Sequence, residues 1–274
     1  MSMLGERRLG ATLVEILVAI GLAALLAALG GSALVGVERR QRASRSEGDG
    51  RRAVRQAVSV LGEELRGVDS VTVRSDSEIE LLTLVGTSVV CDQTSAEIVV
   101  PSASAAGGLP YSTWREDAAT GDLVAVFDVG SARWWYAVAQ RIASASSDAC
   151  PPATGLSSAI DSVRFRPVRV LLDRRLPASI GVGAPLRVLR RGRYYLSRGT
   201  DGRWAMSYRR CPAPDRCLAG QPVTAPLAPR GDGGLSFSLT PDRVALNVTA
   251  RAPRRANGAS GDSVRITMVV GRAP

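Results

Sequence analysis

Residues 9–37 read LGATLVEILVAIGLAALLAALGGSALVGV, an almost purely apolar run with one charged residue, Glu15. As an α-helix this run would extend about 40 Å, enough to cross a bilayer. A carboxylate inside hydrocarbon costs roughly 2.5–3.5 kcal/mol, so Glu15 needs a partner there. Arg7 and Arg8 come directly before the run, and basic residues stay on the cytoplasmic side. The run therefore predicts a single-pass inner-membrane helix, with the rest of the chain in the periplasm or outside.

The segment GATLVEILVAI, residues 10–20, resembles the class III signal of type IV pilins and type II secretion pseudopilins. In that family a prepilin peptidase cuts after the glycine and then methylates the new first residue. The resemblance implies a cut between Gly10 and Ala11 and N-methylation of Ala11. It also makes Glu15 the family's fifth-position glutamate. Ala11 departs from the family, in which this residue is usually phenylalanine.

Elementary electrostatics gives Glu15 a role in assembly. Cleavage creates an α-amino group with a reference pKa of about 8, which is mostly cationic at neutral pH. When helices stack side by side, the carboxylate of one subunit can meet the terminal amine of its neighbour. Any other stagger leaves a buried charge unpaired, so the pair selects the register. The alternatives are an uncleaved signal anchor and an ordinary secretory signal cut near Ala28.

The pattern divides the chain into four parts: a leader at 1–10, a transmembrane and filament-core helix at 11–37, an amphipathic continuation at 38–67 and a strand-rich head at 68–274. Gly48 and Gly50 are expected to interrupt or bend the helix. Apolar side chains then recur at helical spacing, at Val54, Val58, Leu61 and Leu65. From Val71 onward short segments alternate with period two, which is typical of strands.

These features predict an α+β fold, the lollipop plan that the resemblance implies. A long hydrophobic N-terminal helix spans the membrane, continues as an amphipathic helix and packs on a mainly antiparallel β-sheet head. Trp134, Trp135 and Tyr136 lie in one predicted strand; they form either a binding surface or part of the packed sheet, and packing is favoured.

Missing residue types argue against catalysis. The chain has no histidine, and its basic side chains are all arginine, so Ser-His-Asp, Cys-His and lysine-based chemistry are excluded. The acidic pairs Glu63–Glu64 and Glu78/Glu80 are expected on a helix surface and on a solvated strand face. We therefore expect no enzyme activity, no cofactor and no metal.

Four cysteines, Cys91, Cys150, Cys211 and Cys217, lie outside the apolar run. An even number of cysteines in an oxidising compartment indicates two disulfides, for which three connectivities exist. The short segment between Cys211 and Cys217 makes a local bridge plausible, which leaves Cys91 with Cys150. A four-thiolate zinc site is the competing interpretation, but paired CxxC knuckles are absent.

Length and layout resemble those of the W-type minor pilins of type IV pili and the J-type pseudopilins of type II secretion. The resemblance implies a structural subunit that primes or joins such a fibre, with prepilin peptidase, other pilins or pseudopilins and the inner membrane as partners. The alternative is a membrane-anchored extracytoplasmic binding module. The net charge of +10 makes DNA, in a competence pilus, a candidate partner, although basic and aromatic residues do not interleave along the sequence. The favoured alternative is that the arginines are simply spread over the solvated faces of the protein.

Overall fold

A computed structural model of the chain describes residues 13–101, 112–146, 150, 167–240, 245–254 and 258–269. Side chains are described for these residues except 28–35, 39, 245 and 269. Within these ranges the protein is mostly antiparallel β-sheet, preceded by one α-helix.

The helix, α1, spans Leu13–Arg66. The strands are β1 (Val68–Ser75), β2 (Glu78–Val89), β3 (Asp92–Gln93), β4 (Glu97–Val100), β5 (Thr113–Trp114), β6 (Leu123–Asp128), β7 (Arg133–Ser144), β8 (Val168–Leu172), β9 (Pro185–Arg198), β10 (Trp204–Arg210), β11 (Gln221–Leu227), β12 (Leu235–Thr240), β13 (Ala245–Arg251) and β14 (Ser263–Val269).

Strand β9 is central to the larger sheet. One of its edges pairs with β2 along almost the whole length of both strands. Its other edge is shared, because β6 pairs with residues 186–189 and β10 pairs with residues 192–198. The sheet continues from β6 through β7, β8, β4 and β3, while β1 and β5 pair with β2, and β11 pairs with β10. Strands β12, β13 and β14 form a separate antiparallel sheet.

The second half of α1 is held between the two sheets. Val54 and Leu61 are fully buried, Leu65 is nearly so, and Val58 is partly buried against the same cluster. The helix contacts β2 and β11 of the larger sheet and β13 and β14 of the smaller one. The sheets contribute alternating inward side chains: Ile79, Leu81, Tyr194, Met206, Leu227, Leu235, Phe237, Leu246, Val248 and Ala250. Because strand side chains alternate between faces, every second residue of these strands is available to this core.

A second apolar core lies on the larger sheet away from α1. It is built from the inward residues of β2, β4, β6, β7, β8 and β9. Strand β9 supplies both cores, with Leu186 and Val188 in the second and Tyr194 in the first. The strand therefore couples the packing around α1 to the packing of the rest of the head.

The helix passes through Gly48 and Gly50 without a break, contrary to the predicted interruption. A β-carbon at Gly50 would lie 3.1 Å from Ala252 Cβ and 3.2 Å from the Pro253 ring. Arg51 Nε also lies 2.5 Å from the Asp262 carboxylate in the segment before β14. Close packing and an ion pair on this side of the helix outweigh the roughly 1 kcal/mol helix penalty of each glycine.

The predicted membrane-spanning helix requires a correction. Among the described residues, no helix is both long enough and apolar enough to cross a membrane. Farther along, from Glu38 onward, the helix is strongly charged. The α+β fold class with an N-terminal membrane helix and the single-pass inner-membrane location are therefore not supported; the described fold is mostly antiparallel β.

Candidate functional site

The N-terminal part of α1 exposes apolar side chains around its whole circumference. Leu13, Leu17 and Leu26 are 76%, 60% and 67% exposed, and Val14, Ile16, Val18, Ile20, Leu22 and Leu25 are each more than half exposed. Consecutive helix positions point in different directions, so this surface is wider than a single stripe. Contiguous exposed apolar surface of this kind indicates a contact surface for another molecule. We call residues 13–26 the apolar segment.

Glu15 is the only charged residue of the apolar segment, and it lies in the first turn of the described helix with an exposed side chain. Its neighbours along the helix are Leu13, Val14, Ile16 and Leu17. Gly10 and Ala11, the predicted cleavage and methylation sites, lie outside the described residues.

A cleft of about 270 Å³ lies between the middle of α1 and the segment that connects β13 to β14. Its helical wall consists of Ala43, Ser46, Glu47, Gly50 and Arg51, three of which are small. The cleft lies C-terminal to the apolar segment on the same helix.

A polar cavity of about 360 Å³ lies at the C-terminal end of α1. Burial raises the pKa of Glu64 above its usual range, while Arg115 acts in the opposite direction. Burial also raises the pKa of Tyr194, whose hydroxyl hydrogen-bonds Glu64. The lining consists of Glu64, Thr83, Leu84, Val85, Arg115, Glu116, Arg190, Tyr194, Tyr208 and Arg210.

Asp122 joins the two strands that share one edge of β9. Its carboxylate is 1% exposed and accepts hydrogen bonds from Arg190 Nε at 3.0 Å, Arg190 Nη2 at 2.9 Å and Arg210 Nη2 at 2.9 Å. The backbone N–H of Ala119 donates a further bond of 2.8 Å. Asp122 precedes β6 and Arg210 ends β10, so this cluster closes the junction between them. The charges of Arg190 and Arg210 at the cavity wall are thereby balanced, which indicates a structural role.

The Glu78 and Glu80 side chains differ from their predicted placement on a solvated face. Glu80 is only 8% exposed and is covered by Arg74, Arg191 and Arg193. Burial alone would raise the pKa of Glu80, but the hydrogen bonds from Arg74 and Arg193 outweigh it and lower the pKa. The two carboxylates therefore belong to an ion-pair network on the outer face of the sheet, the face that points away from α1.

The three neighbouring aromatics of β7 point to opposite faces of the sheet. Trp135 packs against the second core, whereas Trp134 and Tyr136 are half-buried on the outer face. Phe127 of β6 contacts Trp134 edge-on, with ring centroids 5.3 Å apart. The Arg187 guanidinium of β9 lies 4.5 Å from the Trp134 ring centre. Sequence reasoning missed this group, because Arg187 and Trp134 are distant in the chain. The sequence hint for the group is the alternation of side chains along each strand, which places both residues on the outer face.

The cysteines form two disulfides. Cys91 is bonded to Cys150, which closes a loop with a sequence separation of 59, and Cys211 is bonded to Cys217 with a separation of 6. Cys91 and Cys150 pack with Val99 and Ala145 in a small apolar cluster. In the described ranges, no three Cys, His, Asp or Glu side chains are arranged to hold a metal ion.

The surfaces above differ in charge and exposure. At the wall of the polar cavity, Asp122 balances the charges of Arg190 and Arg210, whereas the apolar segment is exposed and the outer aromatic group is half-buried. No protein-family model, curated protein or solved structure matches the chain.

Proposed function

We propose that the protein is a structural subunit of a type IV pilus-like or pseudopilus-like fibre, which it primes or joins as a minor component after processing by prepilin peptidase. The observation that carries the proposal is the apolar segment of α1, which is exposed on all sides and contains one carboxylate. A segment of this kind can be covered on all sides when it lies in a bundle of similar helices.

The energetic argument rests on the area that such a bundle would remove from water. Full burial of one Leu, Ile or Val side chain contributes about 1.5–3 kcal/mol. Nine such side chains of the segment are more than half exposed, so their burial would contribute on the order of 10 kcal/mol or more before the entropy of association is subtracted. That is ample for stable assembly.

Glu15 gives the bundle its register in this proposal. A carboxylate enclosed by apolar helices is stabilised only when a cation lies beside it, and the α-amino group of processed Ala11 in a neighbouring subunit supplies one. The membrane-anchored binding module considered from the sequence is not carried forward, because no described helix can span a membrane.

Two measurements on protein from its native cells test the proposal. The first is the mass of the N-terminal peptide, which is expected to begin at Ala11 and to be about 14 Da heavier than its residues, the mass of one added methyl group. An intact Met1, or a terminus near Ala28, would contradict processing by prepilin peptidase.

The second measurement is site-specific photocrosslinking. A photoreactive residue at Leu22, which is 57% exposed, is expected to crosslink to the N-terminal helices of other pilin-like subunits or of further copies. The matched control is Val129, which is 69% exposed on the head and is expected to give no such products. Crosslinks from Leu22 to lipid alone, or equal products from both positions, would contradict assembly through the apolar segment.

A further inference from the structure

The outer face of the larger sheet carries a group of side chains that the proposed fibre role does not use. We call Phe127, Trp134, Tyr136 and Arg187 the aromatic face. Register places all four on the same side: Phe127 pairs with Trp134, and Ala125 pairs with both Tyr136 and Arg187. Paired residues of neighbouring strands project to one face of a sheet, here the face opposite to the second core.

The three rings are partly accessible, and Trp134 is held by two neighbouring side chains. Trp134 contacts the Phe127 ring edge-on, and the Arg187 guanidinium lies over one face of the Trp134 ring. Trp134 and Tyr136 are two residues apart on one strand, so they lie about 7 Å apart along it. Each ring is half-buried, which leaves part of it open to solvent. Rings fixed in this way lose little entropy when a planar group stacks on them.

Charge on this face favours an anionic partner. Arg141 of β7 lies on the outer side together with Leu171 of β8. Within the described part of the chain, neither Arg141 nor Arg187 has a carboxylate at ion-pair distance. The other outward charges in this region are balanced, since Arg169 pairs with Glu97 at 3.3 Å and Arg191 pairs with Glu80 at 3.4 Å. Asp173 accepts a hydrogen bond from the Val138 backbone N–H at 2.8 Å.

We propose that the aromatic face binds single-stranded nucleic acid, with unpaired bases stacked on Trp134 and Tyr136 and the phosphate backbone beside Arg187 and Arg141. Stacked aromatic rings flanked by cations on a sheet surface are the common means of binding single strands without sequence preference. A net charge of +10 adds a long-range attraction for such a polymer. The inference does not rest on the proposed function, because the aromatic face lies on the head, on the side of β9 opposite to α1.

Binding of a fluorescent oligothymidylate of about 20 nucleotides to the full chain tests the proposal. Trp134→Ala is expected to weaken binding about 5- to 150-fold, the range measured when a stacking aromatic is removed. Trp134→Phe, which keeps a ring, is expected to restore most of the affinity. The matched control is Trp204→Ala on β10, a half-buried tryptophan outside the aromatic face, which is expected to bind as the wild type does. Thermal unfolding of each variant identifies any loss caused by misfolding, and Tyr136→Ala provides a second, independent removal.

Salt and competitors separate stacking from plain charge attraction. The logarithm of affinity should fall linearly with the logarithm of salt concentration, and Arg187→Gln should reduce that slope by about 0.7 if one phosphate contact is lost. Arg203→Gln, on an exposed turn, should leave the slope unchanged. Dextran sulfate and a duplex of equal length should compete less well than the single strand. Equal competition by either, or unchanged binding in both Trp134→Ala and Tyr136→Ala, would overturn the proposal.

Discussion

Replacing Asp122 with asparagine tests whether its cluster joins the two strands that share the edge of β9. Asparagine keeps the size of the side chain and one oxygen acceptor, so the substitution removes mainly the negative charge. Asp122 is 1% exposed, while the Arg190 and Arg210 side chains are 13% and 22% exposed. The variant therefore leaves two largely buried guanidinium groups without their shared counter-charge.

The magnitude follows from what remains around the arginines. Breaking a buried ion pair by removing one partner typically costs about 3–5 kcal/mol. Arg190 keeps an ion pair with Glu116, and Arg210 keeps a hydrogen bond to the Thr120 carbonyl. We therefore expect Asp122→Asn to lower the free energy of unfolding by about 3 kcal/mol, the lower end of that range. Asp201→Asn is the control, because Asp201 is 60% exposed and lies 3.7 Å from Arg203; its loss should stay below about 1 kcal/mol.

Urea unfolding of the full chain, followed by tryptophan fluorescence with both disulfides intact, measures both changes. A double-mutant cycle with Arg210→Met isolates the interaction itself, and its coupling energy should exceed about 1 kcal/mol. The reasoning is refuted if Asp122→Asn and Asp201→Asn cost the same, or if the cycle gives no coupling. Either result would mean that β6 and β10 are held against β9 by their backbone pairing and apolar contacts alone.

Three further predictions concern the core, the buried carboxylates and the disulfides. Leu61→Ala should cost about 2–5 kcal/mol of unfolding free energy, because the Leu61 side chain is fully buried. Leu218 is 52% exposed, so Leu218→Ala should change the free energy of unfolding little. Equal losses for the two variants in urea unfolding would contradict the assignment of Leu61 to the core. Burial raises the pKa of Glu64 above 4.5, so the contribution of the protonated carboxyl is complete below that pH and is lost as the pH rises through the native pKa. Glu64→Gln should therefore gain stability relative to wild type as the pH rises above 4.5. Glu80→Gln should behave oppositely, because the pKa of the Glu80 carboxyl is lowered in the folded protein. This variant should be less stable than wild type above pH 4.5, and its stability should approach that of wild type in acid. Parallel pH profiles of the two variants would contradict the environments assigned to Glu64 and Glu80. Loss of the Cys91–Cys150 disulfide should cost about 4 kcal/mol of unfolding free energy and loss of the Cys211–Cys217 disulfide about 2 kcal/mol, because a disulfide that closes a longer loop restricts the unfolded chain more and the sequence separations are 59 and 6. Urea unfolding of paired Cys→Ser variants measures both losses. A larger loss for the Cys211–Cys217 pair would contradict this argument.

The sequence predicted correctly which residues are buried where a single helical periodicity was enough to define a face. The stripe of Val54, Leu61 and Leu65 predicted the buried side of α1, because helical spacing directly specifies a face. The same logic failed at Gly50, since local propensity carries no information about the Ala252–Pro253 segment, which is about two hundred residues away. Tertiary packing there overrides the weak preference of glycine.

Long-range pairing explains what the sequence could not predict about the head. Alternation within a strand assigns Arg187 and Arg190 to opposite faces, but it does not reveal that β6 and β10 divide the second edge of β9 between them. Glu80 therefore looked like a solvated residue, although arginines from β1 and β9 cover it. The aromatic face depends on the register of three strands, which no local pattern specifies. The membrane helix predicted from composition is corrected by the described part of α1.

The sandwiching of α1 between the two sheets has a consequence for biosynthesis. The helix leaves the ribosome before the strands that cover it, which include β11, β13 and β14, the last of which ends at Val269. At about 5–20 residues per second, the roughly 200 intervening residues take on the order of 10–40 s to be synthesised. During that time the buried side of α1 lacks its partners in β11, β13 and β14, so a nascent chain stalled before β11 should remain bound to chaperones or be sensitive to proteases. A chain released after β14 can bury the helix at once.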